Sequence, residues 1–204
     1  MSEQEFIALL TLATAMSFTP GPNTTLAAAL GANVGLRRTL FFVAAVPTGW
    51  TLMMLGCGLG LGALLLAAPG LRLVVKAVGI AYLLWLAWKL AGSRRLAEAD
   101  TARLSVGFWQ GVALQLVNIK AWMLALALAA GWVASAAGQV APNPGERLAI
   151  VCAVMAGFAL ASNLAYAMLG AVLRGWLAHG ARLLWFNRMM ALALLATAAW
   201  MAWA

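Results

Sequence analysis

The sequence predicts an all-α membrane protein with six transmembrane helices arranged as two inverted three-helix repeats. The prediction rests on composition, on the recurrence of long apolar runs and on where the charges stand. Of 204 residues, 65% are hydrophobic and 9% charged, too few polar side chains to clothe a globule of this size in water. Six apolar runs each approach or exceed the roughly 20 residues needed to cross a hydrocarbon core. They extend over about Phe6 to Gly31, Leu40 to Ala67, Leu71 to Ala91, Ser105 to Ala134, Leu148 to Leu173 and Leu183 to Trp203. Backbone groups in lipid must bond within their own segment, and no short alternating strands suggest a barrel, so the runs should be helices.

The first run is preceded by Glu3 and Glu5 and by no Lys or Arg. It therefore lacks the basic flank of a cleavable signal peptide and is expected to be retained. The longest polar stretch between runs is Gly92 to Leu104, too short to fold separately, so residues 1–204 are expected to form one polytopic domain. Its halves, about 1–91 and 105–204, hold three spans each. Three is odd, so the halves must lie in the membrane with opposite orientations, the inverted-repeat geometry of many transporters. Internal similarity is faint: Asn23 and Asn118, and likewise Cys57 and Cys152, share one offset that the third spans do not keep.

The net charge of +8 would suggest nucleic acid in a soluble domain, but here it is better explained by topology. Arg37, Arg38, Lys89, Arg94, Arg95, Arg103, Arg174 and Arg182 stand at connections one, three and five, against Arg72 and Arg147 on the other side. The positive-inside rule then puts both termini on the non-cytoplasmic face of the inner membrane and the charged connection between the halves in the cytoplasm. Trp132, Trp200 and Trp203 near the outer ends, and Trp85, Trp88, Trp109 and Trp176 near the inner ends, suit interfacial belts. Gly56, Gly58, Gly60 and Gly62 form two small-xxx-small pairs in the second span, which suit close packing within the chain or, alternatively, in a homodimer.

The stretch Thr19-Pro20-Gly21-Pro22-Asn23 lies in the middle of the first run. Neither proline has an N–H, so the helical bonds to the Met16 and Phe18 carbonyls cannot form, and the first helix should be interrupted at Pro20-Gly21-Pro22. Freed backbone at that depth needs protein or a water-filled cavity. A broken helix offers carbonyls suited to an ammonium and, from a second half starting near Asn23, N–H groups suited to a carboxylate. The bland alternative is a kink that only shapes packing.

With that motif near the start of a six-span chain, the sequence resembles the LysE/RhtB family of amino-acid exporters. Lys76-Ala77-Val78-Gly79-Ile80-Ala81-Tyr82-Leu83 is similar to the family's third-span pattern, Phe108 and Gly111 before Asn118-Ile119-Lys120 to its fourth-span pattern, and Asn187-Arg188 to the entry of its last span. The resemblance covers essentially the whole chain. It implies export of amino acids or related small zwitterions by alternating access, with proton coupling left open. Two residues depart from the pattern. Ile119 stands where the family commonly has proline, which removes the local reason for a matching break in the second half. Trp50 stands after Gly49 where many members carry an Asp.

Lys120 falls near the middle of the fourth span, where a charge costs about 2.5–3.5 kcal/mol on insertion scales, so it should face a polar cavity. Together with the resemblance this favours holding a substrate carboxylate or setting the cavity potential, with a structural contact to backbone carbonyls as the alternative. Lys76, near an outer end, can snorkel. Gln115, Asn118, Ser162, Asn163 and Tyr166 are deep enough to line a path, with interhelical hydrogen bonding as the alternative. The candidate substrate site is therefore Thr19, Pro20, Gly21, Pro22, Asn23, Gln115, Asn118, Lys120, Asn163 and Tyr166. Trp50 and Trp122 read first as packed or lipid-facing, with a stacked gate as the alternative.

Other classes fit less well. The acids Glu3, Glu5, Glu98, Asp100 and Glu146 stand at ends or in connections, and the single His179 has no partner pattern, so neither enzymatic catalysis nor a metal or other cofactor is expected. Without a buried carboxylate to pair a basic side chain, small neutral amino acids are favoured as the cargo. Cys57 and Cys152 in comparable spans leave a thiol-based electron carrier as the rival, though no cation stands near to stabilise a thiolate. A structural membrane subunit is the third reading. The expected partners are a small zwitterion and lipid, not nucleic acid.

Overall fold

The computed structural model describes residues 1–58, 68–92, 106–136 and 139–203. The helices are α1 (Glu3–Phe18), α2 (Pro22–Val34), α3 (Leu36–Gly58), α4 (Pro69–Ala91), α5 (Phe108–Leu116), α6 (Ile119–Leu128), α7 (Pro144–Leu177) and α8 (Arg182–Trp203). After α6 the chain widens into a π-helical turn, Ala129–Ala134, and the fold is otherwise helical apart from a two-residue antiparallel pair, Ser135–Ala136 with Gln139–Val140. Gly60 and Gly62, and Arg94, Arg95, Glu98, Asp100 and Arg103 of the charged connection, lie outside the described residues.

Local chemistry sets the helix ends. Ser2 and Glu5 cap α1 reciprocally, with Glu5 N–H donating to Ser2 Oγ at 3.2 Å and Ser2 N–H to Glu5 Oε2 at 2.8 Å. Proline opens α2, α4 and α7 at the first helical position, where its missing N–H has no intrahelical partner to lose. Gly35 ends α2 at φ 81°, a positive-φ conformation that glycine adopts without a Cβ clash.

Among the described residues, four helical stretches are long and apolar enough to cross a membrane: Leu36–Gly58, Leu73–Ala91, Pro144–Leu177 and Arg182–Trp203. A fifth is made if Phe108–Leu116 and Ile119–Ala134, bent 65° at their junction, count as one span. The first apolar run is divided between α1 and α2. Large apolar side chains such as Phe41, Leu73, Val172 and Trp176 face outward, as lipid-facing surfaces do and water-facing ones rarely can. Trp88, Trp109 and Trp203 are at least 74% exposed near helix ends.

At the centre stands α2. All of its residues are buried except Asn23. In lipid, close packing rather than water exclusion drives helix association, and glycines set the distance. A Cβ on Gly31 would collide with the Ala167 carbonyl, and one on Gly170 with the Ala28 carbonyl, so α2 and α7 meet backbone to backbone. The reciprocal amide pair Asn33–Asn187, at 2.7 and 3.0 Å, joins α2 to α8. Gly111 admits the Ala45 methyl, which would stand 2.7 Å from an added Cβ, drawing α5 onto α3. Among the described members of the predicted glycine pairs, Gly58 meets only the Leu148 side chain. The tight backbone contacts lie instead at Gly31, Gly49, Gly79 and Gly170.

Candidate functional site

Two helix interruptions face each other at the centre of the molecule. The first lies where the imino acids require it. The chain leaves α1 at Phe18, is extended at Thr19 and at Gly21, and rewinds at Pro22. The Phe18 carbonyl, deprived of its helical donor by Pro22, accepts the Tyr166 hydroxyl at 3.1 Å. Gly21 N–H donates to Thr24 Oγ1 at 2.9 Å, closing the start of α2.

The second interruption corrects the sequence-based expectation. Ile119 removes the proline but not the break: α5 stops at Leu116, α6 begins at Ile119, and the two are bent by 65°. The cause is tertiary. Gly79 of α4 has no side chain, so its backbone lies against the Val117 carbonyl, where a Cβ would collide. The Leu116 carbonyl accepts the Trp122 indole N–H at 2.7 Å, and the Asn118 carbonyl accepts the N–H groups of Ala121 and Trp122 at 2.9 and 3.1 Å. Trp122 therefore caps broken backbone.

A reciprocal amide pair ties the two interruptions together. Asn23 Nδ2 donates to Gln115 Oε1 at 2.9 Å, and Gln115 Nε2 to Asn23 Oδ1 at 3.0 Å. Gly49 makes room for Gln115, whose Cγ would stand 2.8 Å from an added Cβ.

Beside this pair lies a cavity of about 90 Å³, several times the roughly 10–15 Å³ that one water requires. The first turns of α2 and α6 line it, with the end of α1, α3 at Val46 and Trp50, and α7 at Met155, Ala159, Ser162 and Asn163. Of the ten predicted site residues, Thr19, Gly21, Pro22, Asn23, Asn118, Lys120 and Asn163 line the cavity. Pro20 is exposed, Gln115 is engaged with Asn23, and Tyr166 caps Phe18, so these three act behind the wall. Lys120 Nζ stands 3.5 Å from where a Cβ on Gly21 would be, so the ammonium of one interruption reaches the backbone of the other.

Three of the wall residues carry a buried polar atom with no hydrogen-bond partner among the described residues: Trp50 Nε1, Asn118 Oδ1 and Asn163 Oδ1. Asn163 Nδ2 donates to the Ala159 carbonyl at 2.8 Å, which leaves its oxygen without a partner. In a lipid-embedded interior such atoms are costly unless water or a ligand meets them. Trp50 is 5% exposed and belongs to the cavity rather than to the lipid. Its place was hidden in the sequence, because α3 is apolar around its whole circumference and gives no sign of which side faces inward. Among the described residues, no carboxylate lines the site, and Lys120 is the only titratable side chain that does.

A second polar cluster, unforeseen from the sequence, closes the far end of α1. Arg147, buried at the start of α7, donates to Glu5 Oε2 at 2.8 Å and to the Trp132 carbonyl at 2.9 Å. The Trp132 indole N–H in turn donates to the Glu5 carbonyl at 3.1 Å. The Arg147 hydrogen bond, helped by the Ser2 N–H, lowers the Glu5 carboxyl from its ordinary 4.5 to about 2. Cys57 and Cys152 are free and buried in one apolar cluster with Met53, Met54 and Met155.

Fold and cavity together define a multi-pass helical membrane protein with a polar, cation-bearing chamber between two interrupted helices. The chain belongs to the family of LysE type translocators, whose family model matches residues 14–203. Membership places it among translocators rather than enzymes. It is 37% identical over 113 residues to a protein of Klebsiella pneumoniae subsp. pneumoniae named cysteine/O-acetylserine efflux protein, the match covering 55% of this chain and 57% of that one. Proteins of the same name from Salmonella typhimurium and Escherichia coli K12 are 38% and 36% identical over 110 residues, covering 54% of this chain and 55% of theirs. The chain thus spans just over half the length of the curated relatives it matches. No solved structure matches the chain.

Proposed function

We propose that this protein exports small neutral amino acids, or zwitterions like them, across the cytoplasmic membrane by alternating access. The observation that carries the proposal is the set of unmet polar groups in one chamber. Two amide oxygens, Asn118 Oδ1 and Asn163 Oδ1, await donors, as an ammonium would supply. Lys120 and the N–H groups of the first turns of α2 and α6 suit a carboxylate. No acid in the wall would pair a basic side chain, and the cavity is small, so cargo with a compact uncharged side chain fits best. The relatives' printed name, which pairs cysteine with O-acetylserine, falls within this class.

On this reading, α1 with α2 forms the first span and α5 with α6 the fourth, and six spans make two inverted halves in a single domain. Both termini then lie outside the cytoplasm. If a proton is coupled to export, Lys120 is the wall residue to carry it. The buried cysteines sit among apolar side chains, a setting that suits packing and favours translocation over a thiol-based electron carrier. A merely structural subunit would not need unmatched donors and acceptors gathered in one chamber.

The test is efflux from proteoliposomes loaded with a panel of labelled amino acids, comparing wild type with Lys120→Ala. Wild type should release small neutral amino acids, and the variant should do so at least about 10-fold more slowly, the loss expected for one charge-assisted contact of roughly 1.5–3 kcal/mol. If the intact protein moves no small zwitterion, the proposed function is wrong.

A further inference from the structure

Trp50 is left over when the common part of an amino acid has been accommodated. Asn118 Oδ1 and Asn163 Oδ1 match the donors of an ammonium, and Lys120 matches a carboxylate, so the backbone portion of any amino acid occupies these groups. The Trp50 indole N–H can only donate. It is buried, nothing among the described residues accepts from it, and Trp50 is one of the residues that border the same chamber. Its ring is held in the apolar cluster that includes Met53, Met54, Ala121 and Met155, so the N–H is fixed rather than free to seek a partner elsewhere. Val46, one turn earlier on the same face of α3, also borders the chamber, which leaves the surroundings of that N–H largely apolar.

We propose that Trp50 is a specificity-determining residue: its indole N–H donates to an acceptor atom on the side chain of the exported amino acid, so that an ether-, ester- or hydroxyl-bearing side chain is preferred to a hydrocarbon one of the same size. This rests on the export reading above and refines the substrate class for that site. The physical basis is asymmetry. A hydrocarbon side chain fills the space but leaves the N–H without a partner in a low-dielectric wall, whereas an oxygen at the same position satisfies it. Hydroxyl cargo also brings a donor of its own, and Ser162 Oγ in the wall can accept it.

O-methylserine and norvaline separate these effects, because they have the same chain length and differ by one oxygen in place of one methylene. In reconstituted vesicles, wild type should prefer O-methylserine over norvaline by about 10-fold in efflux at low concentration. Trp50→Phe, which keeps the aromatic ring and loses the N–H, should erase most of that ratio. Trp50→His, which retains a ring N–H, should recover part of it. Asn118→Ala serves as the contrast, since it should lower both cargoes together and leave the ratio standing. An unchanged ratio in Trp50→Phe overturns the proposal. Should that variant fail to accumulate in the membrane, wild type alone decides, because equal export of the two amino acids excludes an acceptor-reading donor. Export of neither compound nor of any other small zwitterion would instead strike the export reading itself, a result distinct from equal export of both.

Discussion

The two helix interruptions reach the same end by different means. At Pro20 and Pro22 the break has a covalent cause, since two missing N–H groups flank a glycine within three residues, whereas the lone Pro47 stands inside the continuous α3. At Val117 and Asn118 every residue could donate, yet the chain bends by 65°. There the break depends on neighbours: the bare backbone of Gly79 against the Val117 carbonyl and the Trp122 indole on the Leu116 carbonyl. Both breaks give an exposed carbonyl to an aromatic donor, Tyr166 in the first case and Trp122 in the second. What differs is whether the donor causes the break or merely accommodates it. A covalent interruption should survive the loss of any one contact, whereas a tertiary one should not.

The largest effect is expected from removing the covalent cause. Pro20→Ala with Pro22→Ala restores two N–H groups, each relieving a helix-interior penalty of roughly 3 kcal/mol, so α1 and α2 can wind into one rod. The Phe18 carbonyl would then be claimed by the helix, and the wall at Thr19, Gly21 and Asn23 would close. Thermal unfolding in detergent should occur at the same temperature or higher, while efflux falls by at least about 10-fold. A variant that exports as well as wild type would show that the chamber does not depend on this break.

A smaller, diagnostic effect should separate the two aromatic caps. Trp122→Phe leaves the Leu116 carbonyl without a partner, and Tyr166→Phe does the same to the Phe18 carbonyl, each at a cost of about 1–3 kcal/mol. Stability should drop comparably in both. Because only the second break is held by contacts, Trp122→Phe should also lower efflux more than the stability loss explains, whereas Tyr166→Phe should leave efflux of the surviving protein within about 2-fold of wild type. Equal functional losses in the two variants would abolish the distinction between a covalent and a tertiary break.

The same distinction governs what the sequence could reveal. Helical runs were legible, because composition and run length act locally, and the first break was legible from two prolines. Lys120, Asn118 and Asn163 could be picked out because polar groups in an apolar run need a polar neighbour. The second break could not, since its causes are Gly79 on another helix and a tryptophan six residues beyond the carbonyl it caps. Gln115 and Tyr166 read as path-lining polar residues in the sequence, and only the fold shows that one binds Asn23 and the other Phe18. Trp50 was the hardest case. In lipid a helix has no obligatory polar face, so the rotation that turns Trp50 inward leaves no trace in the pattern of residues.

The opposite end of α1 provides the mildest test, because there the attachment is ionic rather than covalent or steric. Arg147 and the Ser2 N–H hold the Glu5 carboxyl at about 2 instead of its ordinary 4.5, so the carboxylate form is favoured in the folded protein. A depressed carboxyl contributes its stability fully above about 4.5 and loses it as the pH falls from there toward 2. Between neutral pH and pH 5 the outer tether should therefore be constant, and the apparent unfolding temperature should decline only below that window. Glu5→Gln removes the ion pair but retains hydrogen-bonding capacity, so it should be slightly less stable than wild type at neutral pH and flatter in acid. The first break contains no titratable group and should show no such slope. If Glu5→Gln keeps the full acid sensitivity of wild type, the pairing with Arg147 is not what secures this end of α1, and the π-helical turn that presents Trp132 must secure it through the indole hydrogen bond to the Glu5 backbone alone.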